Sequence, residues 1–321
     1  LDRLEVEAAP VSPLRLPRRT GGDLVLRRHG PGLRRLLVVS GAPVIAGVRP
    51  GARGTLRFRA EGIDPARVSG PGCEELADAG PAELEQAVAA MRFATGVDDD
   101  LAPFRTAFAR DPLLGPAIGR GLERRPLRRP DPWEALAWAV TEQLIAYRDA
   151  AVIQRRMIRR WGLSVVDGRE TLRSVPSPQA VASVSPAELQ SCGLAARRSL
   201  ALIRVAREIV SGRVDPADPS GDERLLAIPE IGPWTVACLA FRGRGEPDAL
   251  LAGDLGHVKL VGMLAGLGRL AEVDEVERFY EPYAPFRGLA GEYLLSYRGA
   301  VVSGPGNRSR IRQAAVRPRA A

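Results

Sequence analysis

The sequence predicts a mixed fold: an α+β domain with an antiparallel sheet over residues 1–100, followed by an all-α core over residues 101–303. Three observations lead there. Between Leu14 and Gly62 short apolar runs are punctuated by Gly and Pro, the pattern of strands joined by hairpin turns. From Pro81 onward apolar residues recur at helical spacing. The other elements are organised around the stretch from Leu225 to Gly262, whose first half, to Phe241, reads as helix, tight turn and helix, and whose second half sets Asp254 before a further helix start. Residues 304–321 hold five arginines and no acid and read as a disordered basic tail.

Length and charge set the frame. The 321 residues suffice for two or three domains with a substantial core. The chain starts at Leu1 without methionine, as a truncated or processed chain does. With no signal peptide in view and no apolar run of spanning length, a soluble intracellular protein is the expectation. The formal charge is +8 and the pI about 10.2, which favours a polyanionic partner. Lys259 is the only lysine, however, and with abundant Ala, Gly and Pro this resembles a GC-rich coding bias. Charge alone is therefore a weak sign of nucleic-acid binding. Cys73, Cys192 and Cys238 are widely separated, and His29 and His257 are the only histidines. Neither a zinc knuckle, a four-cysteine iron–sulfur cluster nor a histidine-based metal site can be built from them.

In chain order, strands are expected over Asp23 to Arg27, Arg35 to Ser40, Pro43 to Val48 and Thr55 to Arg59. Pro81 to Phe93 opens with Pro, carries acids in its first turn and places Leu84, Val88 and Met91 on one face, an amphipathic helix. The run Asp98-Asp99-Asp100 reads as a capping or solvated turn, because three adjacent carboxylates cannot all converge on one ion. Short helices follow at Leu101 to Ala109 and Pro112 to Gly119, then a basic knot of Arg124, Arg125, Arg128 and Arg129, which reads as a solvated loop before it reads as a phosphate contact. Asp131 caps the next helix, with Pro132 at its first position. That helix is apolar almost all round, so it is expected to be buried and to break near Gln143.

Ser177 and Ser185 cap two short helices, each followed by Pro. A longer helix after Gly193 turns Leu200, Ile203, Val205 and Ile209 inward and Arg197 and Arg198 outward, where they are solvated or touch a ligand. Leu225, Leu226 and Ile228 close the first helix of the hairpin, Pro229 to Gly232 make its turn, and Pro233 to Phe241 form the second helix. Such a turn can offer backbone N–H groups, Gly232's above all, to a phosphate. Asp254 follows Gly253 just before a helix start, so it is at least an N-cap. Asp248 fits a structural turn.

The pattern Ile-Pro-x-Ile-Gly-Pro-Trp-Thr at Ile228 to Thr235, with Asp248 and then Gly253-Asp254, resembles the helix-hairpin-helix DNA glycosylase superfamily, and within it the DNA-3-methyladenine glycosylase II (alkylation-repair) branch. The resemblance covers roughly the last two-thirds of the chain. It implies a helix-hairpin-helix glycosylase core of two lobes with the site between them. The implied partner is double-stranded DNA containing damaged bases, met by a monomer in the bacterial cytoplasm, with no membrane, metal or other cofactor beyond a possible monovalent cation at the hairpin.

The resemblance also assigns roles. Asp254 becomes the catalytic carboxylate, with Trp234, Tyr283 and Phe286 lining the base pocket, although Tyr283 reads equally well as core. Gln143 would face the groove and Leu144 would enter the base stack, while Ile231, Gly232, His257 and Lys259 would contact DNA. Where members that also cleave the backbone carry a lysine nucleophile, this chain has Trp234, so a monofunctional enzyme is expected. Two residues depart from the family pattern: Glu142 adds a carboxylate near DNA phosphates, and Glu230 replaces the usual turn glycine. The competing readings are a non-catalytic DNA-binding or damage-recognition module and a glycosylase for deaminated or oxidised bases.

Overall fold

The computed structural model describes residues 2–303 apart from 18, 19, 21, 122, 123 and 127; side chains are described as far as 296, so the expected basic tail at 304–321 lies outside the described residues. Five antiparallel strands open the chain: β1 (Arg3–Ala8), β2 (Arg27–His29), β3 (Gly32–Val39), β4 (Ala42–Pro50) and β5 (Leu56–Gly62). They lie in the order β1-β5-β4-β3-β2. The β3–β4 hairpin turns through Ser40 and Gly41, both at positive φ, which matches the right-handed twist of the flanking strands. The sequence reading has no counterpart to β1. Only Leu4, Val6 and Ala8 alternate there with charged residues, and the partner strand, β5, lies about fifty residues away (Arg3 opposite Glu61). Conversely, the strand expected at Asp23 to Arg27 shrinks to β2, which begins only at Arg27.

One helix covers this sheet. In α1 (Pro81–Thr95) the buried residues are Leu84, Ala87, Val88 and Met91, and they pack on Leu37, Val44 and Phe58. It ends at Gly96, which takes the left-handed conformation that glycine adopts without strain.

Strand β6 (Val68–Ser69) precedes α1 and pairs with β7 (Ser164–Asp167), which pairs with β8 (Glu170–Arg173). The core after residue 100 is therefore not all-α. Val165 and Leu172 point one way from this hairpin and fill a cluster with Leu36, Ile63 and Val68, while Gly168 turns it at φ 62. Four-residue strands leave too short an alternation to separate from loop.

The helices continue with α2 (Ala102–Phe108), α3 (Gly115–Gly119), α4 (Pro132–Glu142) and α5 (Tyr147–Trp161). Every residue of α4 from Trp133 to Thr141 is buried, and Asp131 caps it by accepting from the Trp133 N–H at 2.9 Å. The helix ends at Gln143, as its pattern predicts. Then come α6 (Pro178–Ser183), α7 (Pro186–Ser191), α8 (Ala196–Val210) and α9 (Asp222–Leu226), with Ser177 and Ser185 capping α6 and α7. Helix α10 (Pro233–Cys238) runs into a π-helical turn, Leu239–Arg244, and α11 (Leu255–Leu264), α12 (Val273–Tyr280) and α13 (Arg287–Ser303) complete the chain.

Two separate buried clusters hold these helices. One gathers Trp138, Met157, Leu202, Ile231 and Leu239; the other gathers Phe104, Leu114, Val261, Tyr280 and Tyr293. On α8, Ile203 and Val205 are buried as expected, but Leu200 is exposed. The sheet is tied to α4 by buried charges: Arg35 pairs with Glu134, and Arg129 reaches both Asp23 at 2.7 Å and Glu134 at 3.1 Å.

Three of the four arginines of the basic knot are thus not solvated, while Arg124 is exposed. Arg125 donates to the Ser12, Pro13 and Gly96 carbonyls, and Arg128 pairs with Asp99 at 2.6 Å. Their charge is consumed in closing the N-terminal segment onto the helices. Of the three adjacent acids, Asp99 joins this brace, Asp98 pairs with Arg92, and Asp100 caps α2 through the Ala102 N–H.

Candidate active site

The hairpin turn runs from Ile228 to Gly232 between α9 and α10. Glu230 sits at φ 73, the left-handed region where a Cβ costs roughly 1 kcal/mol or more. Its exposed side chain lies 3.6 Å from Arg197. Ile231 is buried and its N–H donates to the Ile228 carbonyl at 3.0 Å, so neither its side chain nor its N–H is available to DNA. Gly232 differs: nothing lies within 4 Å of where its Cβ would be, and its N–H has no acceptor among the described residues.

Between α4 and α5 the chain makes a second feature. Leu144 is fully exposed (101%) and stands at φ 56. An apolar side chain in a left-handed conformation with no protein contact is unfavourable on both counts, and the surroundings fix it. Arg198 Nη1 donates to the Gln143 carbonyl at 2.8 Å and the Thr141 carbonyl at 3.2 Å. Burial lowers the pKa of Arg198. The Gln143 amide donates to the Glu230 carbonyl and to Thr235 Oγ1, both at 2.8 Å. Gln143 therefore binds the loop to the hairpin, where a groove-facing amide was expected. Glu142 points inward to Arg242 at 2.7 Å and Gln154 at 3.4 Å, so this carboxylate is paired within the protein.

Asp254 caps α11, its Oδ1 accepting from the Gly256 N–H at 2.7 Å. The side chain is half-buried, and Oδ2 has no hydrogen-bond partner among the described residues. Trp234 packs against the preceding residue, Gly253, leaving room there for a Cβ 3.8 Å from Trp234 Cβ. The indole Nε1 is buried without a hydrogen bond. Trp234 is partly exposed and packs on the small cluster of Ala139, Cys238, Phe241 and Leu251. Burial pushes the Cys238 thiol up to about 12, which keeps it protonated and inert.

Other expected site residues fall elsewhere. His257 is 4% exposed, its Nδ1 3.1 Å from the Tyr280 hydroxyl, and burial pushes its pKa down to about 4 against the pull of Asp254. A neutral, enclosed imidazole makes no phosphate contact. Tyr283 is 2% exposed and packed against Phe108, with its hydroxyl 3.4 Å from Asp111, so it belongs to the core. Phe286 is half-buried, edge-on to Phe104 and Phe108. Lys259 is exposed. Asp248 holds Arg287 through two side-chain bonds and the Arg287 N–H, and burial opposes the resulting fall in its pKa without cancelling it.

The sequence reading missed Arg242 and Glu292 entirely and left Arg198 undecided. Nothing in their local pattern distinguishes them from surface charges. Among the described residues no group of His, Cys, Asp or Glu side chains is placed to hold a metal, and no helix is long and apolar enough to cross a membrane.

An N-terminal antiparallel sheet, a helical hairpin and a half-buried aspartate capping the next long helix are the features that build this site. Residues 137–285 match the HhH-GPD superfamily of base excision DNA repair proteins. Over these residues the chain is similar to the helix-hairpin-helix glycosylases, and the relatives it resembles carry names of the alkylation-repair branch.

Among its relatives is a DNA-3-methyladenine glycosylase of Bacillus subtilis (strain 168), 26% identical over 62% of this chain and 67% of the relative. Another, a probable bifunctional transcriptional activator/DNA repair enzyme AlkA of Mycobacterium tuberculosis (strain H37Rv), is 30% identical; the match spans 66% of this chain but only 42% of that protein. The 3-methyladenine DNA-glycosylase structure from Archaeoglobus fulgidus shares the fold, with a TM-score of 0.67 at 20% identity over 85% of this chain and 89% of that one.

Proposed function

We propose that this chain is a monofunctional DNA glycosylase that extrudes an alkylated purine of the 3-methyladenine or 7-methylguanine type from duplex DNA and hydrolyses its N-glycosidic bond. The observation that carries the reading is Asp254, half-buried with one oxygen committed to the helix and the other open, with a partly exposed indole packed against the residue before it. The names of the relatives support the same activity.

In this mechanism Gly232 offers its N–H to a phosphate, and Leu144 enters the gap left by the extruded nucleotide. Filling that gap offsets part of an unstacking cost of a few kcal/mol. An alkylated purine is cationic, and an indole face favours a cation by roughly 0.5–2 kcal/mol. As the glycosidic bond lengthens, positive charge grows on the sugar, where the Asp254 carboxylate stabilises it better than water does. The same carboxylate accepts a proton from the attacking water. Trp234 in place of a nucleophilic lysine supports hydrolysis without strand cleavage.

The test is release of 3-methyladenine from methylated DNA, read as strand breaks after heating in alkali. Wild-type protein should produce them, and Asp254→Asn should bind the same duplex while releasing base at least about a hundredfold more slowly. Full activity in that variant removes Asp254 from the mechanism, and a wild-type protein that binds DNA without releasing base leaves a damage-recognition module.

A further inference from the structure

One face of α13 borders Asp254. A Cβ on Gly288 would meet Phe241 Cδ2 at 2.9 Å, Gly291 lies against the His257 ring, and Leu295 Cδ2 would be 3.1 Å from a Cβ on Gly256. Positions 288, 292 and 295 fall on one side of a helix. Glu292 thereby lies on the face of α13 between the Phe241–Arg242 segment and the start of α11, where Asp254 accepts from the Gly256 N–H. It is half-buried, and among the described residues it accepts no hydrogen bond and forms no ion pair. Arg242, which could neutralise it, is already bonded to Glu142. A partly desolvated carboxyl left without a partner is costly to fold, and it is a group prepared for a ligand.

We propose that Glu292 is a second catalytic carboxyl of this site, facing the extruded base while Asp254 faces its sugar, and that it protonates a ring nitrogen of damaged purines that carry no positive charge. The inference rests on the glycosylase reading above and deepens it. A cationic alkylated purine departs as a neutral base without help. A neutral one would depart as an anion, so a proton delivered to the ring lowers the barrier. The C1′–N9 bond breaks with its electron pair passing to the base, and the Glu292 proton goes to a ring nitrogen. Water adds its oxygen to C1′ and gives a proton to Asp254. Solvent exchange then returns that proton to Glu292, leaving free base and an abasic sugar.

The charges around Glu292 come from each element packed on it. Burial holds its carboxyl above the usual range, and Asp254 at the start of α11 pushes the same way; Arg242 after α10 and Arg124 before α4 oppose both. His257, against Gly291, is neutral above about pH 4. The acid form of Glu292 is therefore favoured beyond the ordinary carboxyl range, the direction a proton donor requires.

The experiment measures single-turnover base release from two duplexes, one with a single 7-methylguanine and one with a single hypoxanthine, from about pH 5 to about pH 8. Wild-type protein should release both, the hypoxanthine rate falling on the alkaline side. Glu292→Gln should lower hypoxanthine release about a hundredfold and 7-methylguanine release less than about tenfold, and should abolish that alkaline fall. Glu292→Asp, which keeps the acid, should recover part of the hypoxanthine rate. Equal losses on both duplexes, or no recovery with Asp, overturn the proposal. So does a wild-type protein that releases 7-methylguanine and no hypoxanthine, whereas one that releases neither overturns the glycosylase reading itself.

Discussion

Arg198 donates to the Gln143 carbonyl at 2.8 Å, and the Gln143 amide in turn donates to the Glu230 carbonyl at the same distance. A guanidinium on α8 and a carbonyl on the hairpin turn thus clamp the residue that immediately precedes the exposed Leu144. The leucine is presented before any ligand arrives, so its unfavourable backbone angle is already met in the free protein. Hydrogen bonds from a charged donor contribute roughly 1.5–3 kcal/mol. Replacing Arg198 by Met should leave duplex binding within a few-fold while slowing base extrusion, followed by 2-aminopurine fluorescence beside the lesion, by about tenfold or more. Arg198→Lys should recover only part of that, since a single ammonium reproduces the fork's geometry poorly.

The hairpin makes a prediction of opposite sign. Glu230 carries both a positive φ and a negative charge at the turn proposed to hold a phosphate. Glu230→Gly removes both penalties, so thermal stability should hold or rise by about 1 kcal/mol and DNA affinity should increase. Measuring affinity across salt concentrations checks the cause. An unchanged affinity would mean that the turn does not approach the phosphates.

How much of this was legible in the sequence depends on whether a residue's partners are local. Asp131 and Asp254 declare themselves as caps because the N–H groups they bind lie two residues on. Leu84, Val88 and Met91 show the buried face of α1 by spacing alone. Glu142 and His257 stand beside the residues that carry the family resemblance and so read as facing DNA, yet each side chain turns to partners 12 to 100 residues away; Tyr283, legible equally as pocket or core, is core. The same distance hid β1, whose pairing with β5 gives it order that its own alternation does not. Motif spacing locates the backbone of a site, and only packing decides which way its side chains turn.

The joint between sheet and helices should respond to a single charge. Glu134 is fully buried and is shared by Arg35 and Arg129. Glu134→Gln leaves two buried guanidiniums facing a neutral amide, and breaking a buried pair in this way costs about 3–5 kcal/mol. The denaturation midpoint should fall accordingly with little change in m value. Converting Arg35 to Met in the same chain should cost less than the sum of the two single changes, because the second removal relieves a charge the first left unpaired.

Acid should weaken this fold partly through His257. Its folded pKa, about 4, lies below the unfolded value of about 6.5, so the native state excludes a proton that the unfolded chain accepts. Stability from this group is complete above about pH 6.5 and declines as pH falls toward about 4, by up to about 3 kcal/mol. The ring is bounded on one side by the Tyr280 hydroxyl and on another by Gly291. His257→Gln should therefore be less stable than wild type at neutral pH, where the packing is lost, but its stability should fall less between about pH 6.5 and about pH 4.5. Unfolding curves for the two proteins across that range would separate this contribution from the carboxylates they share, and parallel curves would show that His257 does not titrate there.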